Sequence, residues 1–166
     1  MMRAVLLLAS LALAGCGGNP ARIGTNSASS MECAPFARQV TGLQLYGDAA
    51  SWWEQAEGLY TRSSEPAEGG VLVFARSPRL ASGHVSVVAR QVSSREILVT
   101  QANWVHHRIT RNEPVLDVSP GNDWSQVRVW WAPANVMGST IYPTHGFIAP
   151  ARRRSHDDLM AGLGSP

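Results

Sequence analysis

Helical spacing near the N-terminus, followed by a succession of short strand signals, predicts an α+β domain with N-terminal helices packed on an antiparallel β-sheet. Two observations carry this expectation. From Glu32 to Leu43 the apolar residues Phe36, Ala37, Val40 and Leu43 recur at helical spacing. From Val71 to Trp131 the apolar runs are of strand length and are separated by Gly, Pro, Asn and Asp turn signals.

The elements follow in order. Arg3 and the apolar run Ala4 to Leu13 read as a leader, residues 1–15, because about ten apolar residues cannot span a hydrocarbon core as a mature helix. Residues 16–30, rich in Gly, Ser, Asn and Ala, read as a flexible tether. The compact domain is expected over residues 31–150. Its first helix tolerates Pro35 because the residue falls near the helix start, which puts Cys33 at or just before the first turn, and Gly42 marks the end. Gly47-Asp48 reads as a turn and cap before a short helix through Trp52, Trp53 and Ala56, stopped by Gly58. Arg62 to Gly70 is polar and reads as a loop. Strands are expected at Val71–Phe74, His84–Arg90, Glu96–Trp104, Arg108–Val118 (interrupted by Pro114) and Ser125–Trp131. Residues 151–166, basic, then acidic, then Gly-rich, read as a disordered tail.

The sequence is 45% apolar with six Trp, enough for a buried core, so disorder throughout is excluded. All fourteen basic residues are Arg, against twelve acidic ones. The excess sits in Arg3, Arg22 and Arg152-Arg153-Arg154 rather than on the central domain. A nucleic-acid partner would need a basic face there to neutralise phosphates, and none is expected.

Leu13-Ala14-Gly15-Cys16 closes the apolar leader and resembles the lipobox of bacterial lipoproteins. The resemblance implies cleavage before Cys16, lipid on its sulfur, and an exported protein anchored in a membrane and facing the periplasm or outer membrane. Several acyl chains hold a protein stably on a bilayer where one would be marginal. The two cysteines are Cys16 and Cys33. With Cys16 lipidated, Cys33 has no disulfide partner, and a free thiol in an oxidising compartment asks for a role. Catalysis is one.

A cysteine nucleophile reacts as the thiolate, whereas an ordinary thiol with a pKa of about 8.5 is mostly protonated at neutral pH. A helix N-terminus and a nearby imidazole both favour the thiolate. The helix start at Cys33 supplies the first and also offers backbone N–H groups, including that of Cys33, to an oxyanion. Of the five His, His84 opens a strand directly after Ser82-Gly83, where a site rim would lie. Ile97, Val99, Gln101 and Asn103 share one strand face. If His84–Arg90 and Glu96–Trp104 form a hairpin, Gln101 and Asn103 return to the His84 end. Either amide could then accept from the imidazole N–H and fix its tautomer.

Met31-Glu32-Cys33-Ala34-Pro35-Phe36-Ala37, Trp52-Trp53, Gly83-His84-Val85-Ser86-Val87-Val88 and Gln101-Ala102-Asn103-Trp104 together resemble a CHAP domain, the cysteine, histidine-dependent amidohydrolases/peptidases of the papain-like group. The resemblance implies a papain-like fold and a peptidoglycan hydrolase, amidase or endopeptidase, acting through a cysteine thioester on stem peptides or cross-bridges. It implies Cys33 as nucleophile, His84 as base, and Gln101 or Asn103 as the third member. Many CHAP domains have Glu where Gln101 stands, with Asn two residues later as at Asn103. A neutral amide can still orient the imidazole, but stabilises its cationic form less than a carboxylate does.

Trp52, Trp53 and Trp104 are candidates for lining a substrate groove; adjacent helical residues point roughly 100° apart, so at most one of Trp52 and Trp53 faces a given site. His106-His107 point to opposite strand faces and have no accompanying Cys or acidic cluster, so no metal site is expected, and no cofactor. Glu32 is the only acid in the stretch before Cys33, so no calcium loop is expected there. A monomer is expected. The rival class is a catalytically silent envelope lipoprotein that binds wall peptides or a protein partner through the same groove. An acyltransferase using the same pair would differ only in what attacks the thioester.

Overall fold

The computed structural model describes residues 32–150. The expected leader, the lipidated Cys16 with its tether, and the C-terminal tail lie outside the described residues. Helix α1 (Cys33–Thr41) is followed by a 3-10 turn (Ala49–Ser51) that runs into the one-turn helix α2 (Trp52–Gln55). Then come β1 (Thr61–Ser63), β2 (Val71–Phe74), β3 (His84–Ser93), β4 (Glu96–Ala102), β5 (Ile109–Asp117) and β6 (Gln126–Trp131). The 3-10 turn Ala132–Ala134, β7 (Val136–Met137) and β8 (Tyr142–Ala149) complete the described chain.

The strands run β1-β8-β2-β3-β4-β5-β6-β7, and a further pairing of β8 with β6 closes the sheet. The result is an antiparallel barrel of six strands, β8-β2-β3-β4-β5-β6, with β1 and β7 as short additions and, among the described residues, only two short α-helices. This overturns the expected α+β, papain-like architecture of helices on an open sheet. The protein is mostly β. The cause lies in β8, where Pro143 and Gly146 punctuate a segment that pairs with β2 through a register shift and with β6 at its start. Pro is confined to edges and irregular positions of a strand, so such a segment reads as loop until its two partners are known. Pro114, by contrast, does not interrupt β5, where it sits in register opposite Leu98.

The core has two parts, divided by the barrel wall. Leu72, Phe74, Val88, Ile97, Val99, Val115, Val129 and Phe147 fill the barrel. Val71, Val73, Val85 and Val87 point outward and are covered by Ala34, Ala37, Leu43 and Trp52 from the helical segment. All four residues of β2 are therefore buried, which is why this strand reads as a continuous apolar run. Helix α1 ends at Gly42, whose left-handed φ of 77° lets its N–H bond the Arg38 carbonyl.

One glycine fixes where the site can form. Gly83 has φ +70°, and a Cβ there would come within 2.6 Å of both the Ala50 side chain and the Phe74 carbonyl. The Ala50 N–H bonds the Ser82 carbonyl across this contact. Only glycine lets the Asp48–Ala50 segment lie against the start of β3 and leaves His84 directly at the barrel rim.

Candidate active site

Cys33 is the first residue of α1 and is half-buried, with its thiol free. Its helix offers backbone N–H groups that no side chain caps, because the Glu32 carboxylate turns instead to accept from Asn103 Nδ2 at 2.9 Å. Burial pushes the thiol above its ordinary pKa. Backbone hydrogen bonds from Val85 and Ala34 pull in the opposite direction, and the Glu32 charge adds to the rise. At rest the helix start therefore does not make Cys33 a thiolate. Contact with the Val85 backbone puts the sulfur beside the residue that follows His84 in β3.

His84, Ser86 and Val88 share one face of β3, and Val88 lies in the barrel core. His84 is 4% exposed and Gln101 fully buried. The ring Nε2 stands 3.0 Å from Gln101 Oε1. The same oxygen accepts from Ser86 Oγ at 2.6 Å, while Gln101 Nε2 donates to Glu113 Oε2 at 3.1 Å. Thr110 Oγ1 donates to that carboxylate oxygen at 2.7 Å. The carboxylate can only accept, so it fixes which end of the Gln101 amide faces it. Gln101 Oε1 therefore faces the imidazole, Nε2 carries the hydrogen, and Nδ1 keeps its lone pair. Burial lowers the His84 pKa to about 4, opposed only by the hydrogen bond to Gln101, so the ring is neutral at neutral pH.

A register shift between β4 and β5 assembles the far end of this network. Val99 pairs with Glu113, but Gln101 pairs with Thr110, so β5 holds one extra residue. Asn112 takes a left-handed φ of 54° in that bulge, and Thr110 and Glu113 reach the same amide. Sequence alternation had brought Gln101 to His84. Ser86, Thr110 and Glu113 were missed, although polar residues on the inward face of otherwise apolar strands were the available signal.

Cys33, His84 and Asn103 line one cleft of about 450 Å³ together with Glu32, Asp48 and Gly83. Asn103, at φ 61°, bonds Glu32 and accepts from the His107 N–H at 3.0 Å, so it braces the cleft while Gln101 contacts the imidazole. A second hollow shares Leu80, His84 and Asn103 with this cleft and extends over Arg79, Trp104, Trp131 and Tyr142. Trp104 lies 5.1 Å from the His84 ring, centre to centre, and belongs to this groove. Trp52 is wholly buried in the core, which corrects its expected substrate role. Trp53 stacks on His145 at 6.0 Å and lies under the Arg62 guanidinium, and it does not line the cleft. Among the described residues, no group of three or more His, Cys, Asp or Glu side chains is arranged to hold a metal, and no helix is long and apolar enough to cross a membrane.

A CHAP domain family model matches residues 24–103. The matched stretch carries Cys33, His84, Gln101 and Asn103, and the family it is similar to consists in general of hydrolases of the amidase and peptidase type that act on peptidoglycan. Its last matched residue is Asn103, so β5 to β8 and Glu113 lie beyond it. No curated protein matches the chain.

Proposed function

We propose that the protein cleaves an amide bond of peptidoglycan, in a stem peptide, a cross-bridge or the link to muramic acid, with Cys33 as nucleophile and His84 as general base. The observation that carries this reading is the 3.0 Å contact of His84 Nε2 with Gln101 Oε1, on a ring that lines the same cleft as Cys33. A ring that donates Nε2–H to Gln101 keeps the Nδ1 lone pair free to take a proton from Cys33.

Substrate binding displaces water and brings a carbonyl carbon to the sulfur. Cys33 then gives its proton to His84 Nδ1 as the C–S bond forms, and the uncapped N–H groups at the start of α1 stabilise the oxyanion. Collapse of the tetrahedral species breaks the C–N bond, and the amine leaves with the proton from His84. Water, deprotonated by the same nitrogen, attacks the thioester and releases the carboxylate product and the Cys33 thiol. Because burial favours the neutral forms of both residues, proton transfer accompanies attack rather than preceding it. The groove over Trp104 and Tyr142 would hold the part of the substrate away from the scissile bond. The lipobox-like Leu13-Ala14-Gly15-Cys16 supports a membrane-anchored, exported protein, and the neutral domain supports a wall peptide rather than a nucleic acid as partner.

The test is mass spectrometry of purified peptidoglycan after incubation with the protein and with Cys33→Ala. New amide-cleaved fragments should form with the wild type and fall on the order of 10⁴-fold or more in the variant. Equal fragment release by both would sink the reading. Binding of wall peptides without cleavage would favour the silent-lipoprotein alternative.

A further inference from the structure

We propose that Glu113 is a positioning residue for His84, supplying through Gln101 a buried negative charge one hydrogen bond behind the amide that meets the imidazole. This inference rests on the reading of Cys33 and His84 as the reacting pair.

Gln101 is a neutral relay with both ends occupied. Its oxygen faces His84 and Ser86, and its amide nitrogen faces Glu113. Glu113 is 6% exposed, and its Oε2 accepts from Gln101 and Thr110. A carboxylate accepting from the amide N–H polarises the amide, so more negative charge gathers on the oxygen that meets the imidazole. When His84 takes the Cys33 proton, the cation faces that oxygen with a buried carboxylate one hydrogen bond behind it. The remaining ionisable groups around His84 are Glu32, Cys33 and Asp48 in its cleft, and Arg79 and Tyr142 in the adjoining hollow. None of them hydrogen-bonds the ring, whose side-chain partner is Gln101, with Glu113 behind it. The β5 bulge that brings Glu113 and Thr110 to Gln101 is a local departure from sheet regularity, and it gives the barrel interior its buried acid on this side.

The experiment measures alkylation of Cys33 by iodoacetamide, a neutral reagent, in the full-length protein near pH 7. It compares wild type, Glu113→Gln, and the double variant Gln101→Glu with Glu113→Gln. Glu113→Gln keeps shape and hydrogen-bonding capacity but removes the charge. Its alkylation rate should fall on the order of tenfold, the scale seen when an outer hydrogen-bond partner is lost. The double variant moves the carboxylate next to His84 and should restore at least the wild-type rate, which a merely structural role for Glu113 would not produce. Equal rates for wild type and Glu113→Gln, or a double variant no faster than the single one, would overturn the proposal. A second measurement needs no variant: the imidazole nitrogens of His84 in wild-type protein should show the hydrogen on Nε2 by NMR, and a ring protonated on Nδ1 would overturn it too. Neither readout uses peptidoglycan, so both stand apart from the hydrolase test.

Discussion

The two halves of the candidate site are built differently. Cys33 stands at the end of a helix outside the barrel, half-exposed, tied mainly by backbone contacts to Val85 and Ala34. His84 belongs to the barrel lining and is held by a buried chain of Gln101, Ser86, Glu113 and Thr110. Cys33 can thus be changed with little effect on the fold, whereas the residues that hold His84 are part of what the barrel encloses. Where polar groups are buried, function and stability share the same hydrogen bonds.

Breaking the chain at its centre should have the largest effect on this contrast. Gln101→Leu leaves the His84 N–H, the Ser86 hydroxyl and the Glu113 carboxylate without their partner, a cost of about 4 kcal/mol. Denaturant unfolding should register that loss together with loss of amide cleavage, while Cys33→Ala loses cleavage alone. A comparable destabilisation of both variants would erase the distinction between the halves.

Acid should act on the His84 half next. The unfolded chain binds a proton at His84 below its ordinary pKa of 6.5, while the folded protein resists until about pH 4. Stability from this residue is therefore complete above pH 6.5 and falls as the pH drops towards 4, by about 3 kcal/mol in all. Urea midpoints measured across that window should decline in the wild type. They should decline much less in His84→Leu, and equal slopes would rule out His84 as the source.

The smallest effect separates two tryptophans. Trp104 lines the groove beside His84, and Trp104→Ala should raise KM about fivefold through lost contact area. Trp53→Ala should leave KM within about twofold, because Trp53 packs on His145 and Arg62 away from the cleft. The reverse ranking in a peptidoglycan-release assay would move the substrate path to the Trp53 side.

Much of the site was legible because it follows local rules. Pro35 and Gly42 bracket α1, the four apolar residues Val71–Phe74 are β2 itself, and strand alternation carried Gln101 inward. The barrel was not legible, because closure depends on which distant strand β8 meets, and Pro143 and Gly146 mask it as a loop. Glu113 escaped for a related reason. Its approach to Gln101 needs the extra residue in β5, and a strand pattern read with a strict period of two does not contain a bulge. The raised Cys33 pKa was invisible as well, since a helix start argues for the thiolate and only the packed structure reveals the burial that opposes it.

Closure by β8 also sets an order in time. This strand joins β2 to β6 and is the last of the barrel strands along the chain, so during synthesis both of those edges stay open until Tyr142–Ala149 has been made. Cys33, His84 and Gln101 are all made well before the wall that encloses their network can be completed. A nascent chain therefore carries these residues long before it has the strand that completes the enclosure around their hydrogen bonds.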